Sequence, residues 1–147
     1  MPTRILDKEK VNLDSLYDIF ARAYGVDLHM NSVLVYHGKT LTRVANEAHH
    51  KLIRFRQTFE VQKGVSDTDC ICFANHWNAN KALARISFIP KKEDDECKDC
   101  IGTIQVEYDI AYDNGVIPFN LLISLRWLHQ ITEEMVCEAR NKSIIIS

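Results

Sequence analysis

The chain has 147 residues, of which 46% are hydrophobic and 26% are charged, and these values are ordinary for a single globular domain. Its 18 basic and 20 acidic side chains give a formal charge of −2, which excludes a general attraction to nucleic acid or to an anionic membrane. No apolar stretch is long enough to span a bilayer, and five cysteines without a secretory leader predict a reducing compartment, the cytosol or nucleus. We expect one domain over residues 1–147.

Helical periodicity is clear near both ends of the chain. Residues 13–24 are predicted to form a helix that begins after the N-cap residue Asn12 and ends at Gly25. Residues 118–140 are predicted to form the central core helix, because Pro118 suits its first position and apolar side chains surround much of its circumference.

The middle of the chain is predicted to be mainly sheet. Strands are expected at residues 33–36, 70–73, 82–89 and 103–112. The last of these is the clearest, because apolar and polar residues alternate along its length. Thr40 is suited to cap a second helix, although from Leu52 to Val61 the apolar positions also fit a period of two. These elements predict an α+β fold, a small antiparallel sheet packed against two or three helices.

Four of the five cysteines form two close pairs, Cys70 with Cys72 and Cys97 with Cys100. The second pair lies in a charged loop between two predicted strands, and Gly102 lets the backbone curl toward the sulfurs. If the first pair lies on a strand, both of its sulfurs project to one face and can reach one ion. Because thiolates are preferred ligands of structural zinc, the pattern predicts one Zn held by all four cysteines on a hairpin.

Other roles for these thiols stay open. A redox Cys-x-x-Cys has its attacking thiol at a helix N-terminus, whereas Cys97 follows four acidic residues, which disfavour a thiolate. Unrelated buried or surface thiols are the third alternative. His76 is an alternative ligand in place of Cys70 or Cys72, and Cys137 is expected to be a small core residue of the final helix.

The sequence carries no recognisable catalytic motif. No nucleophile–base pair, phosphate-binding loop or dinucleotide fingerprint is present. On a helix His49 and His50 would diverge by about 100°, so they could not readily share one metal ion. We therefore expect no enzymatic activity. A deep pocket that joins His49, His50 or His76 to a thiol would favour an enzyme instead.

A locally basic segment, residues 39–63, carries the candidate RNA contacts. Lys51, Arg54 and Arg56 lie among apolar residues there, a mixture compatible with an RNA-contacting face. The same pattern is common on the solvated side of an amphipathic element, and the overall acidity favours that interpretation.

The cysteine spacing over residues 70–100 resembles that of the sobemovirus first-frame proteins, small zinc-binding virulence factors of plant viruses. In that family a close cysteine pair precedes a Cys-x-x-Cys in a charged loop. Cys70, Cys72, Cys97 and Cys100 resemble this arrangement, although the first pair here is Cys-x-Cys.

The resemblance implies a zinc-binding viral accessory protein that suppresses host RNA silencing and aids virus spread, in the cytoplasm or nucleus of a host cell. Its partners would be host proteins of the silencing or defence machinery. An RNA-binding module and a small phage or host-defence enzyme are the alternatives. We expect no membrane contact, and the sequence leaves the oligomeric state open.

Overall fold

The computed structural model describes residues 4–80, 84–92 and 100–145, and of Asn80 and Cys100 it describes the backbone. In this part of the chain the fold is α+β, with a six-stranded antiparallel sheet and three α-helices, which confirms the predicted class. The helices are α1 (Leu13–Ala21), α2 (Asp67–Asn80) and α3 (Pro118–Asn141). The strands are β1 (Gly25–His29), β2 (Ser32–His37), β3 (Thr40–Glu47), β4 (Leu52–Gln62), β5 (Arg85–Pro90) and β6 (Cys100–Ala111). Their order across the sheet is β1-β2-β3-β4-β6-β5.

The chain divides into two compact units. The first unit comprises residues 1–57 and 108–127, and the second unit comprises residues 58–107 and 128–147. Buried apolar side chains of the first unit include Leu16, Phe20, Val33, Val35, Val44, Phe55, Leu121 and Leu125. Those of the second unit include Val61, Phe73, Trp77, Ile86, Ile104, Val106, Leu128 and Met135. The expectation of a single domain over the whole chain stays a prediction.

Helix α1 begins where its capping signal predicts. The Ser15 N–H donates to Asn12 Oδ1 at 2.9 Å, and the Asn12 N–H donates to Ser15 Oγ at 3.0 Å. This reciprocal pair satisfies two donors that a helix N-terminus otherwise leaves without partners. The helix buries Phe20, whose ring meets the Phe55 ring edge-on at 5.8 Å between centroids. It ends at Ala21, three residues earlier than predicted.

The helix predicted after Thr40 is wrong, because this segment forms β3. Thr42 and Val44 are fully buried while Leu41 is exposed, so the burial follows a period of two. In the register with β4, Val44 faces Phe55. The Gln57 side chain reaches back to β3 and donates to Thr42 Oγ1 at 2.9 Å. The period-two interpretation of residues 52–61 is thereby confirmed.

The strand predicted at residues 70–73 is also wrong, because it lies inside α2. The helix start is supported by Ser66, whose Oγ accepts from the Asp69 N–H at 3.1 Å. The buried side chains Cys70, Phe73, Ala74 and Trp77 recur at helical spacing along one stripe. The local cap and this stripe together favour the helix over a short strand.

The C-terminal elements form largely as expected. Strand β6 buries Ile104 and Val106, and it pairs with β5 so that Ile86 faces Val106. Residues 82 and 83 of the predicted β5 strand lie outside the described residues. Helix α3 begins at Pro118, as predicted. Within the described ranges, no helix combines the length and the apolarity that crossing a membrane requires.

Candidate functional site

Cys70 and Cys72 lie on α2, which removes the basis for their convergence on one ion. Residues two apart on a helix point about 200° apart. Cys70 is accordingly buried and Cys72 exposed. Burial raises the pKa of the Cys70 thiol, and the carboxylates of Asp67 and Asp69 raise it further. Cys70 is therefore a protonated thiol that packs as a small apolar side chain.

The second half of the expected zinc site cannot be placed. Cys97 and the side chain of Cys100 lie outside the described residues. Among the residues that the structure does describe, no three His, Cys, Asp or Glu side chains are grouped so that they could hold a metal ion. The classification of the chain as a metal-binding zinc protein is thereby corrected, and a zinc ion on the four cysteines stays a prediction from the sequence.

His76 and Cys72 line one cleft of about 520 Å³ in the second unit. They are one helical turn apart on α2, and Asp69 lines the same cleft one turn earlier. Lys142, from just beyond α3, contributes the opposite charge; its Nζ lies 3.3 Å from Glu138 Oε1 and 5.7 Å from the centre of the Phe73 ring. A thiol and an imidazole thus share a cleft, the combination that the sequence analysis associates with an enzyme.

The other two histidines of interest do not belong to this cleft. His49 and His50 are both exposed, in the turn that connects β3 and β4. Their rings meet edge-on at 4.9 Å between centroids. The predicted divergence of the two side chains assumed a helix, but this segment forms strand β3 and a turn.

The three predicted RNA contacts differ in their exposure and in their ion pairs with other side chains of the chain. Arg54 donates to both carboxylate oxygens of Asp109, at 2.9 and 3.1 Å, and its Nη1 lies 3.8 Å from Glu47 Oε1. Two carboxylates therefore neutralise Arg54 and fix its guanidinium. Lys51 is exposed in the β3–β4 turn, and Arg56 is half-buried. Arg54 is thus engaged within the chain, and RNA contact by Lys51, Arg54 and Arg56 stays a prediction.

Helix α3 presents a surface that the sequence analysis did not single out. Phe119 is 62% exposed and Trp127 is 56% exposed, with the half-buried Ile123 between them. These three residues follow one another at intervals of four, so they lie along one face of the helix within the first unit. We call Phe119, Ile123 and Trp127 the α3 aromatic strip.

The sequence contains the residues of this strip, but apolar residues surround so much of α3 that the strip does not stand out. The buried stripe of α3 contains Leu121, Leu125, Leu128 and Met135. Phe119 and Trp127 lie on a different face of the helix from this stripe. The spacing of the leucines in the sequence is therefore the signal that could have identified both residues as solvent-exposed. The expectation that Cys137 belongs to the core is likewise wrong, since its side chain is exposed.

Comparison with known proteins locates the fold. No protein-family model matches the sequence, and no curated protein matches it significantly. Among solved structures, the chain is similar to YbjN from E. coli, with a TM-score of 0.78 over 93% of this chain and 97% of that one. The two chains share a fold. Their sequences are 11% identical, so the likeness concerns the fold alone.

The resemblance to the sobemovirus first-frame proteins is therefore wrong. The matching fold is that of a bacterial protein, and neither a family model nor a curated protein supports a viral relationship. The resemblance depended on the spacing of four cysteines. Cys70 and Cys72 lie on opposite faces of α2, so the first of the two cysteine pairs does not form a pair of ligands on one face.

Proposed function

We propose that the chain is a non-catalytic module that binds a protein partner through the α3 aromatic strip. The supporting observation is the exposure of Phe119 and Trp127 on one helix face. Large aromatic side chains lose favourable burial when they face water, and they dominate the energetics of protein interfaces. Contiguous exposed apolar side chains are typical of surfaces that another protein covers.

The charge beside the strip indicates the chemistry of the partner. Arg126 is exposed next to Trp127, and its positive charge acts on the Tyr24 hydroxyl, whose pKa burial nevertheless raises. A partner segment that offers apolar side chains and a neighbouring carboxylate would complement this face. We infer an apolar segment with an acidic residue beside it.

The fold likeness suggests a setting for such binding. YbjN is described as "a putative transcription regulator". If this chain has a regulatory role, we propose that it acts by binding a protein and not a nucleic acid. The formal charge is −2, and Asp109 and Glu47 neutralise Arg54. A DNA- or RNA-binding surface needs basic side chains that can meet phosphates.

Site-directed photo-crosslinking in cells tests the proposal. A photoreactive phenylalanine analogue at position 119 should yield one discrete protein adduct. The same analogue at the exposed Asn75 position on α2 should not. Trp127→Ala should reduce the adduct at position 119 at least tenfold, because truncating a central aromatic residue costs an interface about 2 kcal/mol or more. Adducts that form equally at both positions, or with nucleic acid alone, would contradict the proposal.

A thiol-dependent enzyme is the second candidate, because Cys72 and His76 share the cleft of the second unit. Cys137 is also exposed and provides an internal control. If His76 activates the neighbouring thiol, iodoacetamide should modify Cys72 much faster than Cys137, and His76→Ala should remove the difference. Equal rates at the two thiols would leave the cleft without a catalytic role.

A further inference from the structure

Strand β1 is an edge of the sheet formed by the described residues, and Asp27 is the one carboxylate among its five residues. Among the described strands it has one neighbour, β2, and the register from Gly25 to His29 runs without a bulge. It carries neither lysine nor proline, the residues that commonly block an edge. The opposite edge strand, β5, begins with Arg85 and ends with Pro90. The two edges therefore differ in how open they are to pairing.

The hairpin turn fixes which backbone groups of β1 point away from β2. Met30 and Asn31 form a two-residue loop, and His29 faces Ser32 across it. The residues that close such a loop exchange hydrogen bonds with each other, and this role alternates along the strand. The N–H and C=O groups of Leu28 and Val26 therefore point outward, where another strand can pair with them.

Exposed apolar side chains accompany these outward backbone groups. Leu28 is 52% exposed and Met30 is 86% exposed. Met30 also adopts a φ of +53°, in the left-handed region that residues other than glycine rarely occupy. A two-residue hairpin loop requires this conformation at its first position, so it holds Met30 at the tip of the hairpin.

We propose that β1 pairs antiparallel with β1 of a second copy of this chain, about a two-fold axis at Leu28. In this register Leu28 faces Leu28 of the second copy and exchanges both backbone hydrogen bonds with it. Asp27 faces the second copy's His29, whose imidazole N–H can donate to the carboxylate, and the two-fold axis repeats this pair. Val26 lies next to the hairpin loop of the second copy, which contains Met30.

The position of the Asp27 carboxylate favours this register over its neighbours. An axis at Asp27 would place two carboxylates directly opposite each other, which is destabilising. An axis at Val26 would leave Asp27 opposite Gly25, which has no side chain that could donate to the carboxylate. With the axis at Leu28, Asp27 and His29 occupy the non-hydrogen-bonded positions, where cross-strand side chains come closest. A hydrogen bond from the Tyr36 hydroxyl holds the Asp27 carboxylate.

A five-residue edge buries little area, so the dimer is weak and depends on concentration. Sedimentation equilibrium between about 5 μM and 1 mM covers the expected range of affinity. The same chain should show concentration-dependent amide shifts in two-dimensional NMR spectra, confined to residues 25–30 and their β2 neighbours. This second measurement needs no substitution and does not depend on a variant's folding.

Charge exchange tests the register directly. Asp27→Lys should weaken the dimer about tenfold or more, because the change acts twice across the axis. The double variant Asp27→Lys/His29→Glu should restore dimerisation, because it again places a donor opposite a carboxylate. Asp18→Lys, on the exposed face of α1, is the control and should have no effect. Leu28→Pro should abolish the dimer while it keeps the β2 ladder, since its N–H points outward.

Several results would overturn the proposal. A chain that stays monomeric up to the highest concentration has no such interface. A dimer that is insensitive to Asp27→Lys, or amide shifts elsewhere in the chain, would place the contact on another surface. The α3 aromatic strip is a separate surface, so neither outcome affects the proposed function.

Discussion

The two tryptophans of the chain lie on different helices in opposite surroundings. Trp77, on α2, is 2% exposed, and its ring lies 6.4 Å from that of Phe73. Trp127, on α3, is more than half exposed and shares a face with the exposed Phe119. Helix α2 thus buries both of its aromatic side chains, whereas α3 turns both of its aromatic side chains outward. Sequence hydrophobicity alone does not distinguish these two uses.

The difference indicates what each helix contributes. The buried stripe of α2 is narrow, and the rest of its surface is mostly polar. Helix α3 buries a complete stripe of Leu and Met and still carries apolar residues beyond it. Apolar side chains in excess of what one buried face accommodates mark a second contact surface. This excess is why we place partner binding on α3 and stability on α2.

The largest expected effect separates the two tryptophans. Trp77→Ala should lower the free energy of unfolding by about 3–5 kcal/mol, because it leaves a large cavity in a packed core. Trp127→Ala should change it by about 0.5 kcal/mol or less, since the side chain lies mainly in water. Urea unfolding monitored by circular dichroism measures both. Similar losses in the two variants would show that the aromatic strip is structural.

Acrylamide quenching provides an independent check on the same comparison. Each single variant retains one tryptophan, so its fluorescence reports one site. The fluorescence that remains in Trp77→Ala should be quenched readily, and that of Trp127→Ala should be protected. The reverse result would exchange the roles of the two helices.

A smaller contrast is expected within α2 itself. Cys70→Ser should destabilise the chain by about 1–3 kcal/mol, because it buries a hydroxyl in an apolar setting. Cys72→Ser should be nearly neutral, because that side chain is exposed. Shared zinc ligation predicts instead that both substitutions cause similar losses. Equal destabilisation would therefore contradict the helical placement of these thiols.

Local signals explain which elements the sequence predicts correctly. The Asn12 cap defines the start of α1, Pro118 the start of α3, and strict alternation defines β6. Strand β3 was missed because Leu41, Val44 and Ala48 recur at helical spacing, although the sheet buries Thr42 and Val44. Pairing with β4 decides the structure there, and such tertiary contacts are not visible in a short window.

The site was harder to predict than the fold for a different reason. In α2 the cap at Ser66 and the stripe from Cys70 to Trp77 were both readable, but the Cys-x-Cys spacing also fits a strand. In α3 apolar residues occupy most of the circumference, so periodicity alone does not show which of them face outward. In β1 Val26 and Leu28 do alternate with Asp27 and His29, but four residues are a short run on which to predict a strand.

The smallest expected effect is the dependence of stability on pH that the buried thiol should cause. Burial, then Asp67 and Asp69, raise the pKa of Cys70 in the folded chain. An unfolded thiol releases its proton near pH 8.5, while the folded one retains it. Above that pH the folded state binds more protons than the unfolded state, so stability must fall as the pH rises toward the folded pKa. The slope cannot exceed about 1.4 kcal/mol per pH unit, the limit for one proton.

Substitution separates the contribution of the Cys70 thiol from the contributions of other titrating groups. The pKa values of Tyr24 and Tyr36 are also raised, so their protons affect stability at higher pH, near and above 10. Unfolding measured between pH 7.5 and 9.5 should therefore show a decline that Cys70→Ala flattens and Cys72→Ala does not. If Cys72→Ala flattened it instead, the exposed thiol would be the perturbed one. The assignment of inner and outer faces on α2 would then have to be reversed.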